Sequence, residues 1–218
     1  MKKRKLIQFF LFILSFIIIN TNAFSERYMV IIGPGEQVSS EYMSRGWIGS
    51  DNICHWAGTT VYWYVNSNGA GDGLTFGQTQ ETILDAYDSW EDVTTAIISF
   101  SYSGSTSSTW AVDSKNVHYW AEDPEDPIFE RASGFLGVTI ITINSNEEYT
   151  DVDIVYNGKD VTWEVEGEAP CYDIQAVATH EIGHQIGLAH SDVEGATMLP
   201  QYNPYDPTAM SSLEDDDR

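Results

Sequence analysis

The segment H-E-I-G-H-Q-I-G-L-A-H, residues 180–190, places three histidines and one glutamate at fixed spacings. On a helix, residues four apart lie on one face, so His180 and His184 can point imidazole nitrogens at one ion. Gly187 tolerates a left-handed backbone and lets the chain leave the helix, which brings His190 round as a third ligand. The spacing therefore predicts a metal site with three histidine ligands on a helix that ends near Gly187.

Three protein ligands leave the fourth position of a tetrahedral zinc ion open to water, which separates a catalytic site from a closed structural one. Such an ion lowers the pKa of its water toward neutrality. Glu181 directly follows the first histidine; it is a poor fourth ligand at that spacing and is free to take a proton from the water. The alternative is a core helix that buries the same histidines without a metal, and the cost of burying those groups disfavours it.

The residues after the third histidine extend this pattern. Ser191 follows His190 directly, and Met198 lies in A-T-M-L-P, residues 196–200. This segment resembles the Met-turn of the metzincins, although a methionine alone would be interpreted as a core residue. The adjoining P-Q-Y, residues 200–202, resembles the segment that walls the S1′ pocket in matrixins, the matrix-metalloprotease family.

The sequence is thus similar to matrixins, and specifically to a bacterial type. The resemblance implies a secreted zinc endopeptidase that acts on peptides or proteins as a monomer. It implies these site residues: Glu181 as the catalytic base; His180, His184 and His190 as zinc ligands; Gly187 and Met198 as structural residues; and Pro200, Gln201 and Tyr202 as substrate-binding residues. A zinc-bearing binding module without catalysis is the alternative, and the intact Glu181 argues against it.

The chain begins with the three parts of a secretory signal peptide. Basic residues 2–5 precede an apolar run at 6–19, and small residues follow at 21–23. We expect cleavage after Ala23, hence an extracellular or periplasmic protein without stable membrane association. An uncleaved membrane anchor is the alternative, but the apolar run is short for a spanning helix.

The rest of the chain is long enough for one domain. Residues 24–51 show no sustained period and are interpreted as a leader or short pro-segment, and residues 52–218 as the catalytic domain. In the family, a stretch like residues 213–217 opens a last helix. The sequence ends at Arg218, so either the domain lacks that helix or the sequence is a fragment of a longer chain.

The strong negative charge excludes one class of partner. The formal net charge is −23, and loss of the signal peptide would remove basic residues only. Such a surface repels nucleic acid. It suits an exported protein that needs solubility, or one that binds a structural calcium ion. The candidate calcium ligands are Asp123, Glu125, Asp126, Glu147, Glu148, Asp151 and Asp153, without an EF-hand pattern; solvated carboxylates are the alternative.

Cys54 and Cys171 are the only cysteines in the sequence. In an exported chain such a pair is most simply one disulfide. The alternative is that Cys54 is a latency thiolate on the zinc, as in the cysteine switch of many matrixins. The surrounding D-N-I-C-H-W, residues 51–56, does not resemble that family's pro-segment motif.

Residue periodicity predicts an α+β fold. The predicted elements are a strand at 59–65, an amphipathic helix at 78–92, strands at 97–103, 117–121, 137–143 and 153–156, and then the zinc helix. The resemblance implies a twisted mixed sheet with the long helix packed on it and the zinc helix followed by the Met-turn.

In matrixins the strand before the last is an antiparallel edge strand that lines the cleft, and by order this is Gly137–Ile143. A peptide could add to this edge as one more strand, contacting Gly137, Val138 and Thr139. Animal matrixins carry a second, structural zinc, but only His55 and His118 remain for it here. We therefore expect no such site, and we expect His118 to be a half-exposed strand residue.

Overall fold

A computed structural model describes the backbone of residues 26–32 and, with side chains, residues 55–93, 97–132, 134–146, 148–167, 170–203, 206 and 209–214. The predicted signal peptide, Cys54, Glu147 and residues 215–218 lie outside these ranges. The strands are β1 (Glu26–Ile32), β2 (His55–Trp56), β3 (Thr60–Asn66), β4 (Ser99–Thr106), β5 (Asn116–Ala121), β6 (Gly137–Ile143), β7 (Glu148–Asn157), β8 (Trp163–Glu164) and β9 (Tyr172–Asp173). The helices are α1 (Phe76–Glu91), α2 (Ile128–Arg131) and α3 (Ile174–Gln185).

The main sheet is mixed and has the strand order β1-β6-β7-β5-β3-β4, with β2 paired to the start of β7. The pairs β3–β4, β3–β5, β5–β7 and β2–β7 are parallel. The pairs β6–β7 and β1–β6 are antiparallel. Strands β8 and β9 form a separate two-stranded sheet before α3. Helices and a mixed sheet together agree with the predicted α+β class.

The position of β6 differs from the prediction. β6 is antiparallel to β7 as expected, but its outer side is paired along its whole length with β1, from Glu26 opposite Ile143 to Ile32 opposite Gly137. The prediction that Gly137–Ile143 is the edge strand is therefore wrong for this structure. The sequence of β1 ends in V-I-I, a β-branched run of the kind that forms strands, which the interpretation as an aperiodic leader overlooked.

The long helix α1 packs on the sheet beside the zinc helix. Thr75 caps α1 through a capping box with Gln78, which satisfies backbone N–H groups at the helix start. On the buried side of α1, the Tyr87 ring stacks on Trp63 of β3 with ring centroids 4.2 Å apart. Trp90 donates from Nε1 to the carbonyl of Thr179, 2.8 Å away in α3. α1 therefore fixes α3 against the sheet.

The third helix, α3, is buried on nearly every side, as expected for a helix at the centre of a core. Asp173 caps it, because its Oδ1 accepts the N–H of Ala176 at 2.7 Å. None of the helices that the structure describes is long and apolar enough to cross a membrane.

Candidate metal centre

The three histidines of residues 180–190 converge on one point. His180 and His184 lie in α3, and His190 follows it. The Nε2 atom of His184 is 3.0 Å from Nε2 of His180 and 3.1 Å from Nε2 of His190. The ligand atoms of these three histidines all lie within 4.8 Å of one another, close enough to share one metal ion. Among the residues that the structure describes, no other group of three potential ligands does so.

Backbone carbonyls orient two of the three imidazoles. Nδ1 of His180 lies 2.7 Å from the carbonyl of Thr197, and Nδ1 of His184 lies 2.8 Å from that of Leu188. A carbonyl only accepts, so each Nδ1 carries the proton and each Nε2 presents a lone pair. Two lone pairs facing each other repel unless a cation lies between them. The donor set therefore fits a divalent metal such as zinc.

All three imidazoles are neutral at physiological pH. Burial, and next the neighbouring His190, lower the pKa of His180 to about 3. Burial, followed by His180 and His190, holds the pKa of His184 well below its usual value, and burial lowers that of His190 to about 4. Because metal ligands must be deprotonated, the site needs no proton release to bind an ion near pH 7.

Glu181 lies beside the triad and is fully buried. Its Oε2 accepts a short hydrogen bond from the hydroxyl of Thr139 in β6. Its Oε1 accepts no hydrogen bond from any residue that the structure describes. Burial raises the pKa of Glu181 to about 8, although the hydrogen bonds from Thr139 oppose the rise. The carboxyl is thus anchored through one oxygen and free at the other.

The residues predicted to contact substrate on β6 divide between its two faces. Thr139 and Gly137 face Glu181, and a Cβ on Gly137 would lie 2.8 Å from the Glu181 Cγ. A larger residue at position 137 would therefore displace the carboxyl. Val138 faces the other way and packs in a separate cluster with Phe135 and Val155.

Gly187 and Met198 lie where the predicted turns require them. Gly187 has a φ of 105°, a conformation that favours glycine. It ends α3 and leads toward His190. Met198 is buried, and its Sδ occupies the space that a Cβ on Gly183 would need. Ser191 donates its N–H to the Met198 carbonyl at 2.8 Å. The segment carrying Met198 thus packs directly beneath the zinc helix.

The Pro200–Gln201–Tyr202 segment has one buried member. Pro200 is half-buried and Gln201 is exposed, whereas the Tyr202 side chain is buried and its hydroxyl accepts the N–H of Asp173 at 3.0 Å. Tyr202 therefore supports the start of α3.

The acidic residues considered for calcium have other contacts. Asp151 Oδ2 accepts the N–H groups of Asp113 and Ser114, and the two carboxylate oxygens of Asp153 accept those of Ala111 and Val117. These bonds hold the loop between β4 and β5. Asp123 and Glu125 are exposed, and Asp126 accepts hydrogen bonds from Trp110 and Tyr119. Within the described ranges these carboxylates do not form a shared metal site.

Cys171 is half-buried and forms no disulfide with any residue that the structure describes. Its predicted partner Cys54 lies outside the described residues, so the disulfide and the cysteine switch both stay predictions.

Three contributors to the site were missed by sequence reasoning. They are the carbonyls of Thr197 and Leu188, which orient the ligands, and the Thr139 hydroxyl, which holds Glu181. Thr139 was predicted to contact substrate, but its side chain points at the carboxyl instead. Residues two apart in a strand point to the same face. The spacing of Gly137 and Thr139 was therefore the sequence signal that both residues would face the same side as each other.

The family model described as Matrixin matches residues 55–218. Among characterised proteins, the chain is 30% identical to human matrix metalloproteinase-26 over 138 residues, which is 63% of this chain and 48% of that protein. It is 33% identical to metalloendoproteinase 4-MMP of Arabidopsis thaliana over 90 residues, 39% of this chain and 25% of that protein. It is 26% identical to karilysin of Tannerella forsythia over 147 residues, 67% of this chain and 29% of that protein.

The chain therefore spans about half the length of the first of these relatives and less of the others. The family match covers most of the chain and includes the triad, Glu181 and Met198. The protein belongs to the matrixin family of peptidases.

Proposed function

We propose that this protein is a secreted, zinc-dependent endopeptidase of bacterial matrixin type, active as a monomer. The observation that carries the proposal is the convergence of three imidazole nitrogens, two of them left without a proton by carbonyl contacts, beside a buried carboxyl that has one free oxygen. Matrixins bind zinc, and the triad supplies suitable ligands. The two histidines outside the triad are too few for the second zinc of animal matrixins, which supports the bacterial type.

His180, His184 and His190 would hold the ion, leaving a position open to water and to the substrate carbonyl. When bound, zinc lowers the pKa of water and polarises the carbonyl. The carbonyls of Thr197 and Leu188 keep two of the imidazoles in the ligating tautomer. These contacts supply the orientation that metal sites obtain from groups behind the ligands.

Glu181 would act as the general base and then as the proton donor to the leaving amine. Thr139 anchors Oε2, so Oε1 is the oxygen that takes the proton. Burial alone would keep the carboxyl protonated near pH 7, because it raises the pKa to about 8. A neighbouring dication opposes this effect, since an opposite charge favours the ionised form.

A peptide substrate would lie antiparallel to β6, the place that β1 occupies in the structure. The Ile32 end of β1 lies opposite Gly137, next to Glu181. A chain in this place could therefore present a peptide bond to the base. Pro200 and Gln201 would wall an apolar S1′ pocket, with the buried Tyr202 holding them against α3.

The leader, residues 24–51, would then act as a pro-segment, because its strand β1 covers the edge that a substrate needs. Val30→Pro removes one N–H from the middle of β1 and should weaken its pairing with β6. We expect this variant to cleave peptides several-fold faster than the unprocessed parent. Ser40→Pro, in the leader but outside β1, is the matched control, and equal rates in all three chains would contradict a covering role.

The test of the function is incubation of the chain lacking residues 1–23 with a mixed peptide library. We expect internal peptide bonds to be cleaved, cleavage to stop with a chelator, and zinc to restore it. Stoichiometric zinc without any cleavage, even after residues 24–51 are removed, would instead support the non-catalytic binding module.

A further inference from the structure

A buried histidine outside the metal centre links the sheet to the zinc helix. His118 lies in β5 and is 1% exposed, which corrects the prediction of a half-exposed strand residue. Its Nε2 is 2.8 Å from the hydroxyl of Tyr87, and its Nδ1 is 2.8 Å from the hydroxyl of Tyr156. The Tyr87 hydroxyl is also 2.8 Å from Oε1 of Gln185. Gln185 is the last residue of α3 and follows the ligand His184.

The donors and acceptors of these four side chains determine the direction of the hydrogen bonds between them. A tyrosine hydroxyl has one hydrogen. The Gln185 amide turns its Oε1 toward this hydroxyl, while its Nε2 has no hydrogen-bond partner among the described residues. In this orientation the amide oxygen only accepts, so Tyr87 donates to Gln185. At His118 the Tyr87 oxygen must then accept, which places the imidazole proton on Nε2. Burial lowers the pKa of His118 to about 3, so the ring is neutral and Nδ1 carries no proton. Tyr156 therefore donates to Nδ1, and all three bonds run from Tyr156 toward Gln185.

Gln185 is held from two sides at the end of the zinc helix. Its side chain accepts from Tyr87 of α1, and its main-chain carbonyl accepts from Nε1 of Trp56 at 2.9 Å. The carbonyl that orients His184 belongs to Leu188, three residues beyond Gln185. The turn of Ile186 and Gly187 that follows α3 thus lies between Gln185 and the group that sets the tautomer of His184.

We propose that Tyr87 and His118 are positioning residues for the zinc ligand His184, acting through the directed hydrogen bonds that hold Gln185 at the end of α3. His118 fixes the direction of the Tyr87 hydroxyl, and Tyr87 holds the helix end. This role rests on the zinc assignment of the proposed function, but it does not require that the protein cleave peptides.

The first test compares the zinc affinity of two tyrosine variants of the full chain, measured by competition with a chelator. Tyr87→Phe keeps the ring stacked on Trp63 but frees Gln185, and we expect zinc to bind about tenfold more weakly. Tyr156→Phe loses an equally buried hydroxyl but keeps the link from His118 through Tyr87 to Gln185. We expect its zinc affinity to match the parent's, while both variants lose thermal stability.

A double-mutant cycle tests whether Tyr87 acts through Gln185. Gln185→Ala should weaken zinc binding about as much as Tyr87→Phe, and the double variant should be no weaker than either single variant. Additive losses would overturn the proposal. So would unchanged zinc affinity in Tyr87→Phe, which would leave it a purely structural residue. A parent chain that binds no zinc would overturn the proposed function as well.

The second test reads the tautomer of His118 directly, with no variant that could fail to fold. Nitrogen NMR of the ¹⁵N-labelled, zinc-loaded chain separates protonated from unprotonated imidazole nitrogens. We expect a proton on Nε2 of His118, and Tyr156→Phe should leave it there. A proton on Nδ1 in the parent chain would reverse the chain of hydrogen bonds and overturn its assigned direction.

Discussion

The histidine triad and the pair formed by Asp151 and Asp153 are both clusters of buried metal-binding side chains, yet their surroundings differ. In the triad, backbone carbonyls accept hydrogen bonds from Nδ1 of His180 and of His184. The Nε2 atoms of these two histidines therefore carry no proton, and they converge. In the aspartate pair, backbone N–H groups donate to Oδ2 of Asp151 and to both oxygens of Asp153, while Oδ1 of Asp151 accepts no hydrogen bond from the described residues. The contacts made at and behind the donor atoms therefore separate the triad from the aspartate pair.

The largest effect should follow from breaking the triad. His184→Ala removes the nitrogen that lies within 3.1 Å of both other ligand atoms, so we expect bound zinc and peptide cleavage to be lost together. Metal analysis of the purified variant and a peptide assay measure the two losses. Circular dichroism is the control for folding, and a folded variant that keeps its zinc and full activity would exclude the triad as the metal site.

Breaking the aspartate pair should affect stability and not metal content. Asp153→Ala leaves the N–H groups of exposed Ala111 and buried Val117 without their acceptor, which should lower the free energy of unfolding by about 2 kcal/mol. Denaturant titration measures the change. Asp88→Ala, on the exposed side of α1, is the matched control. A calcium-dependent rise in the stability of the parent that Asp153→Ala abolishes would show that the comparison is wrong.

The buried carboxyl of Asp173 extends the comparison because it caps α3. Burial raises its pKa from 3.8 to about 6, against the opposing hydrogen bond from Ala176. Between these values the folded state keeps a proton that the unfolded state releases, so stability falls as pH rises through that window. The full effect is roughly 3 kcal/mol. Asp173→Asn keeps a cap without a charge, so the fall from pH 4 to pH 6 should be smaller.

Denaturant titrations of the parent and Asp173→Asn at several pH values measure this difference. The contributions of the other carboxyl groups to the pH dependence are the same in both proteins and cancel in the difference. Parallel stability curves for the two proteins would mean that the Asp173 carboxyl titrates in the fold as it does in the unfolded chain.

Local sequence patterns predicted much of the fold. The strand Gly137–Ile143 matches its predicted bounds, and α1 covers Phe76–Glu91 where the apolar stripe predicted 78–92. Both signals depend only on neighbours along the chain. The error at His118 arose because alternation assumes one solvated face, whereas β5 is a parallel strand buried on both.

The convergence of the three histidines was predictable because one helix and one glycine turn bring them together. The hydroxyl of Thr139 reaches Glu181 from a strand 42 residues away, and no local period encodes that contact. The same holds for β1, since its pairing with β6 joins residues more than a hundred positions apart. Contacts between distant segments were therefore the part of the site that the sequence left open.

The most direct test of the account is Glu181→Gln, measured for zinc content and for peptide cleavage in the same preparation. The amide keeps the shape of the side chain and a hydrogen-bond acceptor for Thr139 but cannot take the proton from water. We expect one zinc per chain, as in the parent, and a cleavage rate about 10² to 10⁴ times lower. Loss of zinc in this variant, or cleavage at the parent's rate, would contradict the assignment of Glu181 as the base beside a three-histidine zinc site.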